Sequence, residues 1–410
     1  MNRVAVTGMG VINSISKSIE EFNSGLKNMN IGIDMITQFD TTEYPVKIAA
    51  EVKDFVPKKF IDRKLARKYD RFLQFASFSA SQALKNSGIE ELETEWRKKT
   101  AVIMASGIGG VKTLQKEYEN LQQYGPRLIS PFLIPMLIPD MSSGAISMEH
   151  GIKGPNFSTI SACASSLHAI AISTMMIKHG YCDYALTGGA EAIIDPIPVA
   201  GFANMMALSR RNDSPSTASR PFDKNRDGFV IGEGGGAVFL ESEQRAVERG
   251  AKIYGYITGF GMTGDAYDFS ASEPDGESTC TAMLNALEMA GKTVEQVDLI
   301  NCHATSTPVG DVSELKAIRK LIEKNNCPYI QSTKSLIGHT VGAAGVNELI
   351  ACVLQAENGF IHGNASIEIL DVEFEGMNIP VKTIESDPKV ILKNAFGFGG
   401  HNVSVVFEKA

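Results

Sequence analysis

The sequence lacks the segments that mark membrane-spanning and secreted proteins. No apolar run in its 410 residues approaches the ~20 residues that a transmembrane helix needs. The most apolar stretch, Phe132–Pro139, contains two prolines, which rule out a spanning helix. The N-terminal apolar segment is broken at Gly8 and is too short for a signal peptide. We therefore expect a cytoplasmic protein without a membrane span.

Positive charge is also scarce. The chain has 39 Lys and Arg against 47 Asp and Glu, which gives a formal net charge of −8. No long Lys/Arg run provides the phosphate-binding footprint of a nucleic-acid-binding protein, so we expect no nucleic-acid partner. One basic segment, Arg63–Arg71, is the best candidate for binding an acidic partner. Taken alone, its residues favour the simpler interpretation of a solvated helix face.

Cysteine is sparse and unpaired in the sequence. The six cysteines include no C-x-x-C pair, which is typical of free thiols in a reducing compartment. We expect most of them to be inert and buried. The histidines are not accompanied by a further ligand at a metal-binding spacing, so we predict no metal site.

Cys163 is the exception, because it lies where the hydrophobic period changes. The preceding residues, Phe157–Ser161, predict a buried strand, and Leu167–His179 predicts an apolar helix. A cysteine at a strand-to-helix turn faces the positive end of the helix dipole, which lowers a thiol pKa and favours thiolate. Cys163 is therefore a candidate nucleophile.

Two histidines occupy similar positions in the second half. His303 follows a predicted strand, Leu299–Cys302, and His339 lies in a Gly-rich turn before a predicted helix, Ala343–Asn358. Functional groups are often presented at such element ends. The distance along the chain from Cys163 is too large for spacing alone to establish a site. Judged from the residues, a Cys-His hydrolase would be the competing hypothesis.

The order of several motifs resembles the β-ketoacyl-[acyl-carrier-protein] synthases, most closely the synthase II type. The resemblance runs from Val4 to Phe407 and is therefore specific. The motifs that carry it are Gly107–Gly110, Cys163, Ser219–Phe229, Gly264–Tyr267, His303, Lys334, His339 and Asn394–Asn402.

The resemblance implies an α/β protein with the thiolase-type fold. Two duplicated α/β halves would form a five-layered αβαβα core, with domains at 1–245 and 246–410 and an insertion at 111–141. A weak internal repeat in the sequence agrees with duplication. Gly232–Glu241 resembles Gly397–Glu408, since each is a Gly-rich turn that leads into a strand. The Cys163 turn likewise parallels the His339 turn.

The resemblance also implies roles for individual residues. Cys163 would accept the acyl chain as a thioester, and His303 and His339 would donate hydrogen bonds that stabilise the enolate formed from a malonyl thioester. Lys334 would pair with Glu348 and tune the histidines. Phe398 would gate the cysteine, with its backbone N–H in the oxyanion hole. Substrate-binding residues would be Ile108, Phe202, Thr305, Thr307 and Gly399, and carrier-protein-binding residues Lys64, Arg67, Lys68, Arg127 and Arg210.

The implied activity is decarboxylative condensation in type II fatty-acid elongation. The substrates would arrive on the phosphopantetheine arm of acyl carrier protein, no other cofactor would be needed, and the enzyme would be a homodimer. Alternatives are a ketosynthase of a polyketide or other specialised pathway, or a non-catalytic partner subunit, which Cys163 disfavours. Initiating synthases use a Cys-His-Asn set, which the second histidine disfavours.

Two residues depart from the family pattern. Ala304 stands where the family usually has Gly, and a positive φ there would strain an alanine. His401 stands where many members have Thr and would add a titratable group near the gate loop.

Overall fold

A computed structural model describes residues 3–322 and 327–410 of the chain. Its strands are β1 Val4–Ile12, β2 Asp34–Met35, β3 Ile48–Ala49, β4 Thr100–Ala105, β5 Asn156–Phe157, β6 Tyr184–Glu191, β7 Gly234–Ser242, β8 Gly255–Gly264, β9 Leu299–Asn301, β10 Tyr329–Gln331, β11 Phe360–Ile361, β12 Ile384–Glu385, β13 Val390–Gly397 and β14 His401–Lys409.

The α-helices are α1 Ile19–Lys27, α2 Arg63–Ala66, α3 Arg71–Ser87, α4 Val111–Tyr124, α5 Leu133–Leu137, α6 Met141–His150, α7 Ser165–Lys178, α8 Pro196–Asn204, α9 Glu243–Glu248, α10 Glu277–Ala290, α11 Pro308–Ile322, α12 Lys334–Ile337 and α13 Ala344–Asn358. None of the helices in the described ranges is both long and apolar enough to cross a bilayer.

The main sheet shows the duplication directly. Within the described residues it has ten strands in the order β10-β9-β13-β14-β8-β1-β7-β6-β4-β5. In the first half β4 pairs in parallel with β5 and β6, and β7 pairs antiparallel with β6 and β1. In the second half β9 pairs in parallel with β10 and β13, and β14 pairs antiparallel with β13 and β8. The halves therefore repeat one topology, and the two similar segments, Gly232–Glu241 and Gly397–Glu408, contain β7 and β14.

Helices pack on both faces of this sheet and between its halves. The halves join where Val4–Val6 of β1 pairs with Gly255–Ile257 of β8. Helices α7 and α13 contact each other and strands of both halves, so they form the central layer. The outer layers are α3 with α6 on the first half and α10 with α11 on the second. This is the predicted five-layered thiolase-type architecture.

The strand predicted before Cys163 is shorter than expected. Only Asn156–Phe157 joins the sheet. Beyond it the backbone N–H of Ser161 donates to Ser165 Oγ at 2.8 Å, and Thr159 Oγ1 donates to the Ser165 carbonyl at 2.9 Å. The polar residues of this segment therefore bond to the start of α7 and leave the sheet ladder.

Candidate active site

Cys163 lies in a tight turn at the N-terminal end of α7. Residues Ala162–Ala164 form one turn of 3-10 helix, and the turn is strained because Ala162 has a φ of 50°. The end of β13 packs directly against it. A Cβ on Gly397 would lie 2.5 Å from the Ser161 carbonyl oxygen, so only glycine allows this approach. The thiol is thereby presented at the junction of the two halves.

The two histidines reach the same point from the second half. The backbone N–H of His303, just after β9, donates to Glu314 Oε1 at 2.9 Å. The backbone N–H of His339 donates to the Val230 carbonyl at 2.8 Å. The ligand-capable atoms of Cys163, His303 and His339 all lie within 4.8 Å of one another. Residues 140 and 176 positions from the cysteine in the sequence are thus brought together by the fold.

These three side chains line a cavity of about 420 Å³. The wall is mostly apolar, and a polar strip from the loop after His303 enters it. The predicted residues Ile108, Phe202, Thr305, Thr307 and Phe398 all line this cavity. Gly399, the remaining predicted substrate-binding residue, lies in the adjoining loop and is not part of the wall. An apolar cavity with convergent polar groups is the usual form of a small-molecule site.

Electrostatics keep both imidazoles neutral. Burial, followed by the positive charge of Lys334, lowers the pKa of His339 and of His303 well below its ordinary value. A neutral imidazole has one N–H donor and one acceptor nitrogen. Both side chains can therefore donate a hydrogen bond to a carbonyl oxygen without carrying charge themselves.

The predicted lowering of the Cys163 pKa is wrong in its net direction. The thiol is only 8% exposed, and burial raises its pKa to about 12, which outweighs the opposing charge of Lys334. A buried thiolate loses its hydration, and one helix terminus does not replace it. The resting group is a thiol, so its proton has to be transferred during acyl transfer. The two neutral histidines are close enough to accept it.

Lys334 forms the ion pair that was expected. Its Nζ lies 2.5 Å from Glu348 Oε1, and both side chains are 1% exposed. Burial lowers the pKa of Lys334, and Glu348 opposes that effect. The same glutamate also binds Lys393, whose Nζ lies 2.7 Å from Glu348 Oε2. Lys393 was not predicted as a site residue.

A metal ion is sterically possible at this point, since one cysteine and two histidines converge there. The charge of Lys334 acts on all three side chains, and a nearby ammonium group repels a cation. The absence of a resident metal therefore stays a prediction.

The predicted gate loop, Phe398–Gly400, directly follows β13 and leads into β14. Gly399 and Gly400 have φ values of 82° and 73°, which glycine adopts without strain. The ring of Phe398 lies 6.4 Å from that of Phe202, centroid to centroid. His401 is exposed and its ring lies beside Gly399. The departure from the family pattern thus places a titratable group against the gate loop, as expected.

Ala304 is not strained, contrary to the concern raised by the family pattern. It is absent from the positive-φ residues in the described ranges, and the left-handed position falls on Ser306, with a φ of 73°. The Ala304 N–H donates to Glu314 Oε2 at 2.7 Å. The loop accommodates alanine because its sharp turn lies two residues later.

The predicted carrier-binding residues are all exposed and lie outside the cavity wall: Lys64, Arg67, Lys68, Arg127 and Arg210. The basic segment is attached to the 111–141 insertion. Asp70 accepts hydrogen bonds from the backbone and the hydroxyl of Thr113, at 3.0 and 2.6 Å. Lys68 Nζ lies 4.8 Å from the Phe132 ring centroid. The segment is therefore fixed beside the insertion that begins three residues after Ile108.

Two buried glutamates organise the site and were missed from the sequence. Glu191 accepts from Ser106 Oγ and from the N–H groups of Gly107 and Gly342, at 2.6 to 2.9 Å. Glu314 holds the loop after β9 as described above. A glutamate in a strand or helix gives no local signal of such a role, because its partners lie far away in sequence.

Comparison with known proteins agrees with this geometry. Residues 1–246 match the family described as beta-ketoacyl synthase, N-terminal domain, and residues 254–368 match its C-terminal domain. The chain belongs to the beta-ketoacyl synthase family. The predicted domain boundary at 245/246 stays a prediction.

Two curated relatives of this synthase-family chain carry the same name. The chain is 41% identical over 408 residues to 3-oxoacyl-[acyl-carrier-protein] synthase 2 of Coxiella burnetii, covering 99% of this chain and 98% of that protein. It is 41% identical over 412 residues to the protein of the same name from Synechocystis, with the same coverage. These relatives make the chain an acyltransferase-class condensing enzyme.

Solved structures of other family members share the fold. A beta-ketoacyl synthase from Burkholderia phymatum superposes with a TM-score of 0.92 at 29% identity, covering 100% of both chains. The ishigamide ketosynthase/chain length factor superposes with a TM-score of 0.93 at 29% identity, covering 100% of this chain and 99% of that one. The thiolase-type fold is thus confirmed along the whole chain.

Proposed function

We propose that the chain is a 3-oxoacyl-[acyl-carrier-protein] synthase that elongates acyl chains in type II fatty-acid synthesis. The observation that carries the proposal is the convergence of Cys163, His303 and His339 within 4.8 Å in an apolar cavity. A nucleophile beside two neutral hydrogen-bond donors suits transfer of an acyl group followed by stabilisation of an enolate.

The first half-reaction loads Cys163. The sulfur attacks the acyl thioester carbonyl, and the N–H groups of Cys163 and Phe398 bind the resulting oxyanion. The bond to the pantetheine sulfur then breaks. A histidine accepts the Cys163 proton and returns it to the departing pantetheine thiol, so the step is balanced without another reactant.

The second half-reaction extends the chain. His303 and His339 donate hydrogen bonds to the malonyl thioester carbonyl, and the C–C bond to the carboxylate breaks with release of CO₂. The electron pair forms an enolate, whose carbon attacks the thioester on Cys163. The bond to the Cys163 sulfur breaks, the thiolate takes up one proton from solvent to restore the thiol, and the product is a 3-oxoacyl thioester that is two carbons longer. Hydrogen bonds that strengthen as charge develops act on the barrier itself.

Mass spectrometry of products from a chain-length series of acyl-carrier protein, with malonyl-carrier protein, tests this assignment. A single two-carbon extension of saturated chains would support fatty-acid elongation. A polyketide or other specialised ketosynthase is the second candidate, because a solved neighbour at 25% identity is a ketosynthase in complex with a type II PKS acyl-carrier protein. Repeated extension without reduction, or activity on a specialised acyl group alone, would favour that candidate.

The substrates arrive on acyl carrier protein, and its phosphopantetheine arm is the only prosthetic group in the reaction. A solved neighbour is a ketosynthase in complex with a type II polyketide acyl-carrier protein. The exposed residues Lys64, Arg67, Lys68, Arg127 and Arg210 supply the positive charge that an acidic carrier needs. The site of action is the cytoplasm.

Removing two of these charges, in a Lys64→Ala/Arg67→Ala variant, should raise KM for carrier-bound substrates about fivefold and leave kcat within about twofold. Kinetics with carrier-bound and free pantetheine-type thioesters at two salt concentrations measure this effect. The free thioester should show no change. Lys389→Ala is the control, because Lys389 directly precedes the first residue of β13, whereas Gly397, which packs against the Cys163 turn, is the last residue of that strand. An equal rise in KM for the carrier-bound and the free thioester would contradict carrier binding at Lys64 and Arg67.

The enzyme acts as a homodimer. Strand β5 ends the main sheet, and Phe157 in β5 and Ile160 just after it are 40% and 59% exposed. Free strand edges and apolar side chains are commonly covered by a second chain. Sedimentation should therefore give twice the 44.2 kDa chain mass, and Ile160→Asp should shift the protein toward monomer. Val247→Asp, at an exposed site on α9, is the control. A monomeric wild type at micromolar concentration would overturn the proposal.

A further inference from the structure

Lys393 is a second buried cation at the candidate active site. It lies on β13, four residues before Gly397, and its side chain is fully buried. Its Nζ contacts Glu348 Oε2 at 2.7 Å and the Asn301 carbonyl at 3.5 Å, and it also donates to the Asn394 carbonyl. A lysine at such a position needs a strong reason, because burying an ammonium group is costly even when it is paired.

The partner of Lys393 is already engaged. Glu348 Oε1 pairs with Lys334 and Oε2 with Lys393, so two ammonium groups share one carboxylate. The three side chains are each at most 1% exposed. Their net formal charge is therefore positive in a region that water does not reach. A charge held away from water acts over a longer distance than a surface charge.

That charge faces the two histidines. The ammonium groups of Lys334 and Lys393 both act on the His303 imidazole and on the His339 imidazole. On the other elements packed here, Glu348 and Glu314 act on Lys334, and Glu191 acts on Cys163. The single negative charge of Glu348 balances only one of the two ammonium groups. Without Lys393, the charge of Lys334 would be balanced by Glu348, and the net positive charge beside the histidines would be lost.

We propose that Lys393 is a positioning residue whose buried charge, shared through Glu348 with Lys334, favours neutral His303 and His339 and stabilises the negative charge of the enolate. This inference rests on the proposed condensing function and adds a residue to it. Lys393 does not touch the substrate, since it is not among the residues that line the cavity. It acts through the histidines and through the field at the reacting carbonyl.

The sign of the effect follows from the charge. A positive charge disfavours the imidazolium form, so removing Lys393 should let the pKa of both histidines rise. A larger fraction of each imidazole is then protonated at mildly acidic pH and can no longer accept the Cys163 proton. The acid limb of the pH profile for kcat/KM should move to higher pH, and kcat for malonyl decarboxylation should fall about tenfold at its optimum. KM should stay within about twofold.

Two variants separate charge from structure. Lys393→Met keeps the length of the side chain, and Lys393→Gln keeps a donor for the Asn301 and Asn394 carbonyls, so both lose the charge while only one loses the hydrogen bonds. Lys252→Met is the matched control, because Lys252 pairs with Glu357 on the surface. The measurements are the pH profile of kcat/KM for acyl transfer to Cys163, kcat for malonyl decarboxylation, and NMR titration of labelled histidines in the full-length enzyme.

The proposal predicts the same upward shift of the acid limb, and of the histidine titrations, in both Lys393 variants and none in Lys252→Met. Folded Lys393→Gln enzyme with wild-type pH profile and titrations would overturn it, whatever Lys393→Met does. Loss of folding in Lys393→Gln would also overturn it, because the residue would then serve structure alone. The titrations do not depend on turnover. A wild type that makes no extended product would instead refute the condensing function.

Discussion

Replacement of Cys163 by alanine should abolish the two-carbon-extended product, with kcat for condensation reduced by more than about 10³-fold. No other thiol can replace it, because Cys163 is the one cysteine that lies within 4.8 Å of both His303 and His339 in the part of the chain that the structure describes. Product formation by mass spectrometry and acyl-enzyme formation on the intact protein are the two measurements.

The matched control for this variant is Cys182→Ala. Cys182 is 5% exposed and belongs to the central core, so its loss removes a buried thiol without touching the cavity. It should retain acyl-enzyme formation and condensation. Extended product from folded Cys163→Ala enzyme would remove Cys163 from the mechanism.

Replacement of either histidine should separate the two half-reactions. His303→Ala and His339→Ala should each lower malonyl decarboxylation by about 10²- to 10³-fold, as expected when an oxyanion donor is lost. Acyl transfer to Cys163 should persist at a reduced rate in each, because the other histidine can still accept the thiol proton. CO₂ release and the acyl-enzyme burst are measured separately.

The double His303→Ala/His339→Ala variant should decarboxylate malonyl-carrier protein only slightly more slowly than the slower single variant, because both histidines act on the same oxygen atom. His179→Ala, at the C-terminal end of α7, is the control and should leave both half-reactions unchanged. Decarboxylation at the wild-type rate in both single variants would contradict the assigned role.

The parts that could be predicted are those with a local signature. Cys163 lies at a change from strand to helix, His339 in a Gly-rich turn, and Phe398 between glycines, so each is visible in a short window of sequence. The duplication was visible for the same reason, since β7 and β14 each follow a Gly-rich turn. The pairing of Lys334 with Glu348 came from the family resemblance and is found in the structure.

The parts that could not be predicted depend on contacts between distant segments. Glu191 binds Gly107 and Gly342, which are 84 and 151 residues away, and nothing near it in the sequence indicates either contact. Lys393 appears as one more residue of a β-strand until β13 is placed beside α13. The prediction that the pKa of Cys163 is lowered was wrong, because the helix dipole is visible in the local sequence, whereas the burial that raises this pKa is set by the whole fold.

The most direct test of the condensing chemistry uses malonyl-carrier protein in which all three carbons of the malonyl group are ¹³C, together with unlabelled acyl-carrier protein. Decarboxylative condensation predicts a 3-oxoacyl product that contains two labelled carbons, together with one labelled CO₂ for each product formed. Labelled CO₂ without extended product, or release of the unlabelled acyl group as free acid, would contradict a site in which Cys163 holds the acyl chain while His303 and His339 generate the enolate.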